Sequence, residues 1–411
     1  MSDYCAAPGL LPFDSALENM LSQITPVTDT LSIPINQSLN YVLAIDITSP
    51  LNVPNHDNSA MDGYAFAIES IKKASTLTLV GRSMAGAPFE GECKIGECIR
   101  IMTGAKMPVS CDTVEMQENV QVSEDNISFL EDKQCGAHVR KVGEDIKLGQ
   151  TVLRQGHKLS AVDIGVLASL GISTVKVFRQ LKVAIIATGD ELKLPGQMLE
   201  SGDIYETNSF VLCAMLEKLN IEVINFGIIE DDFAAIKEAF IEADSQADAV
   251  ISSGGVSVGE ADFTKMVLDD LGEIGFWKIA MKPGKPFAFG KLPNSIFFGL
   301  PGNPVSALVT FHQLALVALT KMQHAVELTR TSLQVKCIHD LKKSPGRMDF
   351  QRGVLSVDAQ GENVVASTGA QGSGILSSLA KANCYIILPA EQGKVKAGEI
   401  VTIQLFDSYI V

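Results

Sequence analysis

Basic residues are scarce in this chain: 33 Lys and Arg stand against 48 Asp and Glu, a formal net charge of −15 over 411 residues. An acidic surface repels phosphate backbones and anionic lipid headgroups, so nucleic-acid and membrane binding are set aside. The same excess of carboxylates suits divalent cations. The usual cysteine signatures are also missing. Cys5, Cys93, Cys98, Cys111, Cys135, Cys213, Cys337 and Cys384 form no C-x-x-C pair and lack the tight spacing of zinc ligands. They read as reduced thiols in a reducing compartment. Residues 1–11 carry Asp3 and no basic region ahead of an apolar stretch, so no secretory signal is expected. No uninterrupted apolar run reaches the ~18 residues that a membrane helix needs. The cytoplasm is the expected location. Internal repeats and low-complexity tracts are absent as well.

What is present divides by texture. Apolar residues make up 46% of the chain, which fits a globular protein too long for one core, with about two to four domains. Residues 13–24 have helical apolar spacing, with Ser15 and Glu18 placed as a capping box. Residues 45–143 are short, turn-rich segments with β-type runs at 76–80 and 119–122, a mostly β region. A helix is expected over 161–170, ended by Gly171. Beyond 178, Lys-Val-Ala-Ile-Ile-Ala at 182–187 reads as a strand buried on both faces of a parallel sheet. Helices at 209–219, 232–244 and 263–271 alternate with strands at 221–229, 249–252 and 295–299, followed by an apolar helix over 305–321. That alternation indicates a doubly wound α/β domain. Short strands return at 333–338, 349–357, 363–367, 384–388 and 400–404, suggesting a C-terminal β-barrel. The fold class is therefore multidomain α/β and β.

Ligands of an open α/β sheet bind outside the carboxyl ends of its strands, and three motifs fall there. Thr188-Gly-Asp190-Glu191-Leu192 puts a turn and two carboxylates after the first strand; Asp190 as a helix N-cap explains it equally well. Ser252-Ser-Gly254-Gly255-Val-Ser257-Val-Gly259-Glu-Ala-Asp262 is neither G-x-G-x-x-G nor a Walker loop. Its glycines let backbone approach a phosphate, and its serines add hydroxyl donors. A plain glycine-rich loop is the bland alternative. Lys278, Lys282 and Lys285 cluster around two prolines, and lysine binds phosphate as a point charge; a solvated turn is the alternative. Pro301 and Pro304 belong to a rigid loop that shapes a pocket wall. Carboxylates at Asp190, Glu191, Asp231 and Asp262 would repel a phosphorylated substrate unless a cation lay between them, and magnesium is the natural choice. The predicted chemistry is metal-assisted cleavage or transfer at a phosphoanhydride.

These motifs resemble those of the molybdopterin molybdenumtransferases, the MoeA family that includes the gephyrin E domain. The resemblance rests on Pro54-Asn-His56-Asp57-Asn-Ser-Ala-Met-Asp62-Gly-Tyr-Ala65, Arg100-Ile-Met-Thr103-Gly-Ala105, Gly143-Glu-Asp145 and the three α/β motifs, in family order along nearly the whole chain. It implies a homodimer with its active site between the α/β domain of one subunit and the β domain of the other. It implies a linker/dimerisation domain (1–48 with 146–179), a mostly β domain (49–145), a molybdopterin-binding α/β domain (180–327) and a barrel (328–411). It also implies the reaction: molybdate enters the dithiolene of molybdopterin-AMP, the anhydride is hydrolysed with Mg2+, and AMP leaves. The molybdopterin adenylyltransferase that supplies the substrate is an implied transient partner. Carried over by motif, Asp57, Thr103, Asp145, Glu191, Asp231 and Asp262 serve metal, molybdate and nucleotide, with Glu191, Asp231 and Asp262 as metal ligands. Lys278, Lys282, Pro301 and Pro304 line the pterin phosphate side. Arg352 and Ser373 follow from a weaker C-terminal match, and His56 reads as a solvated loop residue. Two other readings are a pterin adenylyltransferase using ATP and a gephyrin-like scaffold without catalysis. The β-domain motif argues against the first, and the retained acids against the second.

Overall fold

The computed structural model describes residues 9–130, 134–255, 263–325, 330–407 and 410. Ser257, Gly259 and Asp262 lie outside the described residues.

The chain leaves and re-enters its N-terminal region through paired strands. Thr30–Pro34 runs antiparallel to Thr174–Phe178, and Ile47–Thr48 pairs with Thr151–Leu153. The helix Ala161–Ser169 packs here through Leu167, against Leu43, Val175 and Val177. Its start is fixed by Ser160 and Asp163, each side chain accepting the other's backbone N–H. Between the paired strands lies a six-stranded mixed sheet. Its order is Thr113–Met116, Gly63–Phe66, Glu97–Ile101, Thr76–Ser83, Asn126–Phe129, Val120–Ser123.

The helix Phe13–Ser22 departs from expectation at its start. Its N-cap is Pro12, whose carbonyl accepts the Ala16 N–H at 2.9 Å, so Ser15 already lies inside the first turn and forms no capping box with Glu18. The helix seats Ala16 and Met20 in the core of the α/β domain.

The central sheet has the order Glu222–Ile229, Lys182–Thr188, Ala249–Ser253, Ile296–Leu300, Pro286–Lys291, Glu273–Lys278. The first four strands are parallel and the last two form an antiparallel edge. Alternate side chains divide between two cores. Val183 and Ile185 face the helices Asn208–Lys218 and Pro304–Thr310, while Ala184 and Ile186 face Phe233–Gln246 and Phe263–Leu271. That two-sided burial is why the strand reads as an unbroken apolar run. The helix over Pro304–Met322 has the length and composition of a membrane span, yet 89% of its apolar window is buried in the protein. A π-helical turn at Phe311–Ala315 interrupts it.

In the C-terminal domain Met348–Val357, Asn363–Ser367, Ser332–Cys337, Ile400–Leu405 and Cys384–Leu388 pair in turn. The last returns to the first, closing a five-stranded barrel around Val335, Val365, Ile386 and Ile403. Met281–Lys282 adds to this barrel beside Met348–Asp349, tying the lysine turn to it.

Candidate active site

The four parallel strands end at Ile229, Thr188, Ser253 and Leu300. A cleft of ≈ 750 Å³ opens over the ends of the last three, between the 188–192, 204–208, 253–255 and 301–304 segments, with Gly374 and Leu376 of the barrel on its rim. Gly254 and Gly255 have φ of +98° and +65°. A Cβ on Gly254 would lie 3.0 Å from the Thr188 carbonyl, and one on Gly255 only 2.3 Å from Thr264 Oγ1. Only glycine allows this backbone, so the cleft floor here is bare main chain. The Gly254 N–H itself is held by the Leu300 carbonyl at 3.1 Å.

Asn208, which the sequence reading did not single out, spans two of these loops. Its Nδ2 donates to Ser253 Oγ at 2.7 Å and to the Gly302 carbonyl at 2.8 Å. Among the described residues its Oδ1 is buried without a partner. An unmatched buried acceptor costs about 1–3 kcal/mol, and such exceptions gather at functional sites. No motif around Asn208 marks this role, since its partners come from distant loops.

Glu191 lines the cleft, exposed, with its carboxylate folded against Gly189. Asp190 caps no helix: its Oδ1 accepts the Asp231 N–H at 3.1 Å, joining the loops after two neighbouring strands. Among the described residues no three Asp, Glu, His or Cys side chains gather into a metal-holding group. The donor set still fits magnesium, which takes one or two carboxylates, phosphate oxygens and water rather than a full protein cage. Glu191 would supply one carboxylate, and the Asp231 backbone is held to Asp190 beside it.

Several of the expected site residues do not line this cleft. Ser252 does not offer its hydroxyl to the cleft, because the strand runs on to Ser253 and alternation turns Ser252 inward to 0% exposure. Of the three lysines, Lys282 parts from the other two. Lys278 and Lys285 are exposed, and Lys282 faces a separate cavity on the barrel, 3.5 Å from Asp349. Pro286 is the part of that turn that lines the cleft, with Pro301 and Pro304. Arg352 is 1% exposed and bonds Ser378 Oγ at 3.0 Å and the Gly372 carbonyl at 3.1 Å. Burial lowers its pKa, with Asp349 and Tyr385 acting the other way. Through these bonds it holds the loop bearing Gly374 and Leu376. Ser373 contributes its carbonyl, which accepts the Val305 N–H at 2.9 Å and seats that loop on the helix start.

Asp57, Thr103 and Asp145 lie on the β domain and none lines the cleft of the same chain. Asp57 accepts from Lys141 Nζ at 2.9 Å and the Val142 N–H at 2.8 Å. Burial pushes its carboxyl up, but those two partners outweigh this and hold it below its ordinary value. Thr103 donates both its N–H and its hydroxyl to Asp62 Oδ1, each at 2.7 Å, and this lowers the Asp62 pKa. Asp62 stood in the quoted motif without a role. Asp145 is exposed, with its N–H on the Val53 carbonyl at 3.0 Å. The loops carrying these residues all abut the 53–62 segment, through Asp145 on Val53, Lys141 on Asp57 and Gly104 on Ser59.

Residues 11–171 match the description "MoeA N-terminal region (domain I and II)", residues 184–321 "probable molybdopterin binding domain", and residues 334–406 "MoeA C-terminal region (domain IV)". A molybdopterin molybdenumtransferase of Haemophilus influenzae is 49% identical over 400 residues, covering 97% of this chain and 99% of its own. Gephyrin of Dictyostelium discoideum is 31% identical across 95% of this chain and 62% of its own. The solved molybdopterin biosynthesis moeA protein from Pyrococcus horikoshii OT3 superposes with a TM-score of 0.84 at 32% identity, over 97% of this chain and 100% of that one.

Proposed function

Because the chain belongs to the MoeA family, we propose that it is a molybdopterin molybdenumtransferase that inserts molybdate into molybdopterin-AMP and releases AMP. The observation that carries the chemical part of this reading is the cleft itself, where a bare glycine floor and a free carboxylate meet at the strand ends.

The phosphoanhydride lies along Gly254 and Gly255, where no side chain blocks its approach. Asn208 fixes the loops on either side, donating to Ser253 Oγ and the Gly302 carbonyl. Pro301 and Pro304 form a stiff wall. Glu191 and Asp231 would hold Mg2+, which supplies charge neutralisation between carboxylates and phosphate. Hydrolysis forms a new P–O bond from water as the anhydride P–O bond breaks, leaving AMP and the pterin phosphate.

We further propose that two copies complete the site. Asp57, Thr103 and Asp145 do not line their own chain's cleft, and a second subunit's β domain would bring them there. The Ala161–Ser169 helix is apolar nearly all round, and Val162 on it is 76% exposed, which favours a covered face. The seven described cysteines are unpaired, in keeping with a cytoplasmic reaction. Incubating the protein with molybdopterin-AMP, molybdate and Mg2+ tests the activity: AMP and molybdenum cofactor should appear together. Formation of molybdopterin-AMP from molybdopterin and ATP would assign the chain to adenylation instead.

A further inference from the structure

A second cavity, of ≈ 640 Å³, opens on the C-terminal barrel between the 340–347 loop, the 394–399 loop and Lys282. Six cations line it (Lys282, Lys342, Lys343, Arg347, Lys394 and Lys396) with three carboxylates. In a chain of net charge −15 that balance is inverted.

Two of the three acids are committed to the fold. Asp340 accepts the Ala397 N–H at 2.9 Å, and Asp349, 2% exposed, accepts from Gln351 at 3.1 Å beside Lys282. Lys343 is buried, and its ammonium donates to the carbonyls of Arg347 at 2.7 Å and Ser344 at 3.1 Å. Burial holds its pKa below the usual value; Lys282 and Arg347 push the same way, while Asp349 and Glu391 oppose them. Among the described residues Lys342, Arg347, Lys394 and Lys396 make no ion pair. Six cations in a recess with only three acids repel one another, and an anionic ligand removes that repulsion.

We propose that this basin is a second anion site, separate from the cleft, and that it binds a phosphate-type dianion. Arginine offers a planar fork and lysines offer mobile point charges, the pair of donors that suits phosphate oxygens. A concave recess of this size suits a small molecule more than an extended polyanion. Free orthophosphate and a phosphomonoester share the recognised group. The inference does not rest on the reading of the cleft.

Calorimetric titration of the full chain at low ionic strength tests it, with orthophosphate and AMP as probes. Arg347→Ala and the double variant Lys394→Ala/Lys396→Ala should each weaken orthophosphate binding about tenfold or more. Lys72→Ala, an exposed lysine of the β domain, should leave it unchanged, and added salt should weaken it further. Melting temperatures equal to the parent's establish that the variants fold, and the two variants alter different loops, so one misfolded protein does not remove the test. If AMP suffers the same losses, the basin accepts a monoester; if only orthophosphate does, it takes the free ion. No orthophosphate binding by the parent, equal binding by both basin variants, or an equal loss in Lys72→Ala would each overturn the proposal.

Discussion

Glu191 in the cleft and Asp57 on the β domain are both carboxylates on solvent-facing loops, held in opposite ways. Asp57 is gripped at each oxygen, by Lys141 and by the Val142 N–H. Glu191 makes no ion pair among the described residues and folds over a glycine at the mouth of a cleft. A carboxylate whose oxygens are already matched stabilises structure, whereas an unmatched one is open to a cation. Residue type alone does not separate the two roles; the partners do.

That contrast can be broken or sharpened by experiment. The largest effect expected is from the metal: chelation should abolish turnover and Mg2+ should restore it, and chelator-insensitive turnover would remove the argument for a bridging cation. Next, Glu191→Gln should lower molybdate insertion on the order of 10²–10³-fold with the melting temperature unchanged. Parent-level activity in that variant would mean the free carboxylate is not used. Arg352→Gln should behave differently, losing stability by about 2–4 kcal/mol, because Ser378 and Gly372 lose a buried partner. Activity and melting temperature should fall together there, measured by thermal denaturation and assay in parallel. Gly255→Ala should cost about 1–3 kcal/mol through strain at positive φ and collision with Thr264.

The smallest effect concerns Asp57. Its carboxyl is held below its ordinary value of 3.8 in the folded state. A depressed folded pKa stabilises above the unfolded value, and that contribution is lost as pH falls below 3.8 through the folded one. Melting curves should therefore show the parent losing an increment on the acid side that Asp57→Asn never had. Identical acid limbs would place Asp57 among the unmatched carboxylates after all.

The sequence was most legible where one physical signal dominated. Burial on both faces made 182–187 an unbroken apolar run, and the observed strand, Lys182–Thr188, extends it by one residue. Alternating short runs marked the barrel strands in the same way. Legibility failed where neighbours in sequence part in space. Lys278, Lys282 and Lys285 looked like one cluster, but pairing of Met281–Lys282 with the barrel turns Lys282 away from the cleft. Ser252 and Ser253 looked equivalent until strand alternation separated them. The cationic basin was invisible for the converse reason, since its members come from 282, 342–347 and 394–396. Asn208 and Asp62 were present in plain view, but their partners lie 45 and 41 residues away.

The two short antiparallel pairings that bracket the β sheet carry a consequence for how the chain is assembled. Thr48 lies opposite Thr151, and the Ser49 N–H meets the Gln150 carbonyl at 2.9 Å, so the roughly hundred residues between begin and end at one spot. Such a stretch is a cassette. A brief spacer joining 49 to 150 should replace it while the surrounding strands keep their register, and grafting it between related chains should carry its surface intact into a new host.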